Sequence, residues 1–338
     1  MLKTAEAVSI GHPDKTADYI SGYILDRLIE QDPNVRYAVE VLMKGNTVIL
    51  GGEVTGKVSL DALNDYVRCA LRQIGYDERY ADIWQDKAPD IRKLNIINLI
   101  GMQSPEIGQG VDRNGWGDQG VFVGYACRGE DLLNRELYLA KKLNRALYAR
   151  ARASDYLGLD IKTQITLDEH HHITTAIVAI PMLKPTDLND LIFDVLGEKP
   201  DELIVNGTGL YQTHGSVADC GVTGRKLACD FYATACPIGG GSPWTKDATK
   251  ADLTLNLYAR YMALKHLSDN DECFVYLSSC IGRSAFPSGL VRTVKDGQTC
   301  EQTLSDSQTP RDLIRLFGLD RPVYAKMCQT GLPESVHL

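Results

Sequence analysis

The chain has 338 residues, 44% hydrophobic and 24% charged, which excludes a disordered chain and suits about two domains, with three small ones also allowed. Its formal net charge of −8 argues against a general nucleic-acid binder, so any polyanion must be met by a local cluster of cations. The N-terminal stretch lacks the apolar core of a signal peptide, and no run reaches the ~18 apolar residues of a membrane span. Nine cysteines with no C-x-x-C pair point to reduced thiols in a cytoplasmic protein without a membrane partner.

In chain order, Ala17, Ile20, Ile24 and Leu28 recur at helical spacing from Pro13 and stop at Asp32-Pro33. Val35, Tyr37, Val39 and Val41 then alternate with polar or small residues, and Lys44-Gly45-Asn46 turns the chain into a second apolar run at Val48 to Leu50, which predicts a hairpin. Ser59 precedes a helical pattern from Leu60 through Leu63, Val67 and Leu71 to Ile74 and Gly75. The order helix, hairpin, helix returns twice. A helix starting near residue 131 precedes a hairpin of 162–167 with 173–180 and a short helix over 186–197. A helix opened by Thr249 precedes strands over 273–281 and 289–294 and a last helix from Thr309-Pro310. The expectation is an α+β fold of three similar helix-and-sheet units in a pseudo-threefold arrangement, divided approximately as 1–125, 126–245 and 246–338, with segments exchanged between units.

Two constellations carry chemistry. Gly11-His12-Pro13-Asp14-Lys15 enters the first helix, where free amides and the helix dipole attract anions. His12 suits a phosphate and Asp14 is a hard oxygen ligand for magnesium, although both residue types also cap helices. Asp219-Cys-Gly-Val-Thr-Gly-Arg225-Lys226 and the run from Gly239 to Asp252, with Lys246 and Lys250, interleave cations and carboxylates with glycines, as a loop system wrapping a charged phosphate and its metal would. Thr249 and Asp252 also have the spacing of a capping box, so a structural role for Asp252 stays open. His170-His171-His172 reads as an exposed hairpin turn rather than a metal cluster. Trp84, Trp116 and Trp244 read as filling hydrophobic surface, and of these Trp116 and Trp244 flank glycine loops from which packing over a substrate stays open.

The segments EAVSIGHPDKTAD, GGEVTG, IGMQSPEIGQGVD, GDQGVFVGYA, DIKTQIT, DCGVTGRK and GGGSPWTKDATKAD, in this order between residues 5 and 252, resemble the bacterial and eukaryotic S-adenosylmethionine synthetases. The resemblance implies attack of the methionine sulfur on C5′ of ATP, displacement of triphosphate, and its hydrolysis to pyrophosphate and phosphate. It implies His12 on the polyphosphate, Asp14 and Asp252 on Mg2+, and Glu40 on K+. Glu53, Gln103 and Asp118 fall at methionine-site positions. Asp160, Lys162, Tyr211 and Ser242 fall at ATP-site positions. Asp219 would meet both substrates, Arg225, Lys226 and Lys246 the phosphates, and Lys250 the methionine carboxylate or a phosphate. It also implies a homodimer or a dimer of dimers with shared active sites. The chain departs from the family pattern in a shortened stretch at 112–117, in His214-Gly-Ser-Val-Ala218, in Leu210 where an arginine is usual, and in Gly282 to Phe286. Those departures keep two rivals open: a catalytically impaired regulatory paralogue, and an enzyme that uses a methionine analogue or only hydrolyses triphosphate.

Overall fold

The structure, a computed structural model, describes residues 2–102, 115–304 and 308–336. Its strands are β1 (Lys3–Val8), β2 (Arg36–Lys44), β3 (Thr47–Thr55), β4 (Asn95–Gly101), β5 (Gly120–Cys127), β6 (Lys162–Leu167), β7 (Ile173–Ala179), β8 (Glu202–Val205), β9 (Gly221–Val222), β10 (Glu272–Ser279), β11 (Gly289–Lys295) and β12 (Gln298–Thr303). They form three four-stranded sheets ordered β9-β2-β3-β4, β1-β6-β7-β8 and β5-β10-β11-β12. A central antiparallel hairpin recurs in each: β2-β3, β6-β7 and β10-β11. The fourth strand is parallel to its neighbour in the first two sheets and antiparallel in the third. The outer strand comes from elsewhere in every sheet: β1 joins the central sheet, β5 the last and β9 the first.

The main helices are α1 (Pro13–Ile29), α2 (Leu63–Ile74), α3 (Glu78–Trp84), α4 (Arg135–Arg152), α5 (Asn189–Leu196), α6 (Ala251–Leu267), α7 (Pro310–Phe317) and α8 (Tyr324–Thr330). Helices α1, α4 and α6 each lie on the first two strands of one sheet. Helices α1 and α6 are buried almost all round, including Asp14, Lys15, Asp18 and Asp26 of α1, so they are interior helices and not amphipathic surface ones. One large apolar core joins the first two sheets to α1, α2 and α4, and a second lies under α6 around Trp116, Phe122 and Val275.

The predicted α+β class and repeat are present, with local shifts. Helix α4 starts at Arg135 and not near 131, because Glu130–Leu132 forms a separate 3-10 turn with Asp131 and Leu132 at positive φ. Thr249 and Asp252 do not form a capping box. Lys250 is the N-cap of α6, Thr249 Oγ1 donates to Asp247, and Asp252 pairs with Lys246. The capping box is Thr309–Asp312 at α7. Trp84, Trp116 and Trp244 are core residues, 1%, 0% and 1% exposed, as hydrophobic filling predicts, and the alternative of Trp116 and Trp244 packing over a substrate falls away. The three histidines do make a turn, with His171 at φ 65 and His172 between Glu198 and Asp201 at 3.0 Å each. Gln103 and residues 112–114 of the shortened stretch lie outside the described residues.

Candidate active site

The end of β1 and the start of β6 bring the first cluster together. Ser9 N–H donates to the Ile161 carbonyl at 3.0 Å and Ile161 N–H to Ser9 Oγ at 3.0 Å, so the turn into α1 is clamped to the segment carrying Asp160 and Lys162. Gly11 is required there, because a Cβ would run into the Leu159 carbonyl. His12, Asp160, Lys162, Tyr211 and Asp219 thereby line one cavity of about 230 Å3.

His12 is the N-cap of α1 and its Nδ1 accepts the Asp14 N–H at 3.2 Å. The proton of the neutral ring therefore sits on Nε2, a donor suited to an anionic oxygen. Burial, followed by the nearby Lys226 and Lys162 cations, lowers its pKa to about 3, so His12 is neutral at physiological pH. Burial pushes the Asp160 carboxyl up to about 6; one oxygen accepts Gly215 N–H at 3.0 Å and Oδ1 has no partner among the described residues. Lys162 is exposed at the start of β6 and makes no ion pair among the described residues.

Asp14 joins the cavity to the segment after Asp219. Its Oδ1 accepts Val222 N–H at 2.9 Å and lies 3.8 Å from Arg225 Nε, and its Oδ2 binds Lys226 Nζ at 2.7 Å. Burial would raise this carboxyl, but Lys226 and the Val222 amide hold it below the usual carboxylate range. The same segment reaches a second cluster. Thr223 Oγ1 donates to Glu40 Oε2 and Thr245 Oγ1 to Glu40 Oε1, the latter at 3.0 Å, while Glu40 has no lysine or arginine partner among the described residues. Lys246 pairs with Asp252, whose carboxylate fills the space where Gly241 would carry a Cβ. Lys250 is held by Asp247 at 2.7 Å, and that ion pair keeps the Asp247 carboxyl low against the upward push of burial. Ser242 packs against Gly224.

Glu53 and Asp118 do not line the His12 cavity. Glu53 sits opposite Ala38, whose other edge bridges to Lys246. Asp118 is exposed before β5, and its neighbour Gly117 donates to the Thr249 carbonyl at 3.3 Å, beside the start of α6.

Lys15, Asp18 and Asp230 shape the site and carried no assignment. Lys15 binds Asp230 at 2.7 Å and Asp18 at 3.3 Å inside the protein, and Trp244 Nε1 donates to the same Asp230 oxygen at 2.8 Å. Asp18 accepts Gly224 N–H at 2.8 Å, and burial pushes its carboxyl up to about 7. Both Lys15 and Asp18 fall within the GHPDKTAD segment, where charges on a buried helix face are the available signal. His214 is 1% exposed and lies in an aromatic cage, 4.6 Å from Trp84 between ring centres, with Nδ1 on the Gln212 carbonyl at 2.7 Å and Nε2 on Tyr80 Oη at 2.5 Å.

Family models for the N-terminal, central and C-terminal domains of S-adenosylmethionine synthetase match residues 1–105, 113–199 and 213–335. The S-adenosylmethionine synthase of a Nitratiruptor species is 35% identical, over 98% of this chain and 94% of its own. S-adenosylmethionine synthase 2 of Rhodospirillum rubrum is 34% identical, over 98% and 91%. The chain belongs to the S-adenosylmethionine synthetase family. By that membership it is an enzyme of the methionine adenosyltransferase class. A solved structure described as an unusual S-adenosylmethionine synthetase from Campylobacter jejuni superposes with a TM-score of 0.87 at 31% identity, covering 98% of this chain and 94% of that one. The three-sheet fold is therefore the family's, and use of metal ions goes with the family.

Proposed function

We propose that the chain makes S-adenosylmethionine from ATP and L-methionine, displacing intact triphosphate and then hydrolysing it to pyrophosphate and phosphate. The observation that carries this reading is the meeting of His12, Asp160, Lys162, Tyr211 and Asp219 on one cavity, with Asp14 and Lys226 bonded beside it. A thioether sulfur is a neutral nucleophile and needs no general base, so catalysis rests on in-line positioning and on stabilising the charge that leaves with triphosphate. His12 Nε2–H, Lys162, Arg225, Lys226 and Lys246 supply donors and positive charge for that leaving group. Asp160, Tyr211 and Ser242 are assigned to ATP, Asp219 to both substrates, and Glu53, Gln103, Asp118 and Lys250 to methionine.

Asp14 and Asp252 are hard oxygen donors, each already facing a phosphate-site lysine, and fit Mg2+ held between one or two carboxylates and substrate oxygens. The metal would screen triphosphate charge. Glu40, with the Thr223 and Thr245 hydroxyls beside it, offers an all-oxygen group suited to K+. We also propose a homodimer, or a dimer of dimers, with shared sites. Leu42, Ile49 and Ile97 form a row across the first sheet, and Glu40, Gly51 and Leu99 form the next row on the same face. Leu99 is 65% and Leu42 38% exposed, an apolar face that a second copy would cover while closing over Glu40. A cytoplasmic location is supported by nine free cysteines, and no described helix is long and apolar enough to cross a membrane.

The test is to incubate the purified protein with ATP, methionine, Mg2+ and K+ and measure S-adenosylmethionine, pyrophosphate and phosphate together. Equal amounts of all three are expected. Phosphate release without S-adenosylmethionine would replace the proposal with triphosphate hydrolysis alone, and a folded protein that binds ATP without forming products would point to a regulatory relative.

A further inference from the structure

A second cavity, of about 390 Å3, lies between β1, α4, α8 and the short helix Leu332–Ser335 that follows α8, and shares no lining residue with the His12 cavity. Its volume falls in the range of small-molecule sites. Four cations, Lys15, Lys141, Arg145 and Lys326, face it against two carboxylates, Asp230 and Glu334, a local excess of positive charge in a chain whose net charge is −8. Ala7, Val8, Ile10 and Tyr148 supply apolar wall. Most of the charges are already engaged: Lys15 by Asp230 and Asp18, and Arg145 by Glu334 and the Thr330 carbonyl. Lys141 differs. Its side chain is 9% exposed and its Nζ is paired with Glu334 Oε1 alone, at 2.9 Å, so two of the three ammonium N–H donors have no acceptor among the described residues. A buried ammonium with unused N–H donors on a cavity wall is costly unless an acceptor joins it.

We propose that this cavity binds a small organic carboxylate with an apolar body, its carboxylate on Lys141 and its body against Val8, Ile10 and Tyr148. Burial lowers the Lys141 pKa, and an added anion would reverse that penalty. The site borders the Asp230 carboxylate that also holds Trp244, so its occupant lies one hydrogen bond from the segment that leads into Lys246.

The probe is 4-phenylbutyrate, titrated by calorimetry into the full chain kept saturated with magnesium tripolyphosphate, which occupies the phosphate-loop cations. Saturable binding to one site is expected, with 4-phenyl-1-butanol, the same body without the charge, binding about tenfold more weakly. Lys141→Met should weaken the carboxylate by about tenfold. Lys326→Gln, at an exposed position, should give a smaller loss and keeps the test alive if Lys141→Met does not fold. No saturable binding, equal affinity for acid and alcohol, or affinity unmoved by the folded variants would overturn the proposal. The measurement needs no turnover, so its failure is distinct from failure of the proposed reaction.

Discussion

His214 gives the sharpest physical test of how the loop beside the His12 cavity is held. The ring is buried between Tyr76, Tyr80 and Trp84, donates from Nδ1 to the Gln212 carbonyl, and accepts on Nε2 from Tyr80, whose hydroxyl in turn accepts Leu159 N–H at 3.2 Å. Protonation would put a second donor where an acceptor is needed and a charge where no water reaches. Burial accordingly lowers the pKa from 6.5 to about 4. The folded pKa is depressed, so the stabilisation is complete above pH 6.5 and is lost as pH falls toward 4. Integrating between pH 7 and pH 5 gives a loss of about 2 kcal/mol, because the unfolded chain binds the proton over that interval and the folded one does not. His214→Gln retains a donor and an acceptor but does not titrate. It is expected to cost stability at neutral pH through lost contact with Trp84, yet the gap between wild type and variant should shrink by about 2 kcal/mol at pH 5. Urea unfolding at fixed protein concentration, which removes any effect of subunit assembly, measures both. A gap that stays constant across this interval would mean that His214 titrates normally and that the cage admits water.

Three further perturbations probe the site. Lys162→Met should lower S-adenosylmethionine formation by about 10²–10³-fold, the scale of one lost transition-state donor, with Tm unchanged because the exposed side chain supports no ion pair among the described residues; near-normal turnover would remove Lys162 from the reaction. Gly241→Ala places a methyl group on the Asp252 carboxylate and breaks its pair with Lys246, so the half-saturating Mg2+ concentration should rise several-fold while far-UV circular dichroism stays the same; an unchanged Mg2+ titration would argue against Asp252 as a ligand. Asp230→Asn leaves the buried Lys15 ammonium with Asp18 alone and should cost about 3 kcal/mol in urea unfolding, whereas a cost below about 1 kcal/mol would show that Asp18 suffices.

The repeat was legible because each unit carries a long helical segment followed by a hairpin whose strands alternate apolar and polar residues at period 2. What stayed illegible has specific causes. Strand β12, QTCEQT, is exposed along its whole length, so no buried face imposes alternation on it. Strand β9 is two residues long and exists only because β2 pairs with it. The Thr249–Asp252 spacing imitated a capping box, but Lys246 outcompetes the helix terminus for the Asp252 carboxylate. Trp116 and Trp244 flank glycine loops, and nothing local distinguishes a tryptophan that covers a loop from one that the loop buries. His214 stood in a stretch without apolar periodicity, and its cage is made by α3 residues far away in the chain.

Exchange of outer strands explains why residues so far apart in sequence meet. Were each sheet built only from its own unit, the GHPDK turn would have no reason to face Lys162, nor DCGVTGRK to face Glu40. Pairing of β1 with β6, from Lys3 opposite Leu167 to Val8 opposite Lys162, sets the end of β1 on the start of β6 and delivers His12 and Asp14 to the Asp160–Lys162 segment. Pairing of β9 with Leu42 and Met43 of β2 places Thr223 on Glu40 and Val222 on Asp14 in the same stroke. The site is therefore a seam between units and not a property of any one of them. Register follows directly: a one-residue slip of β1 against β6 would turn Ala5 and Ala7 out of the core and carry His12 away from Lys162 together. The fold's stability and the geometry of the proposed phosphate site are thus fixed by the same strand register.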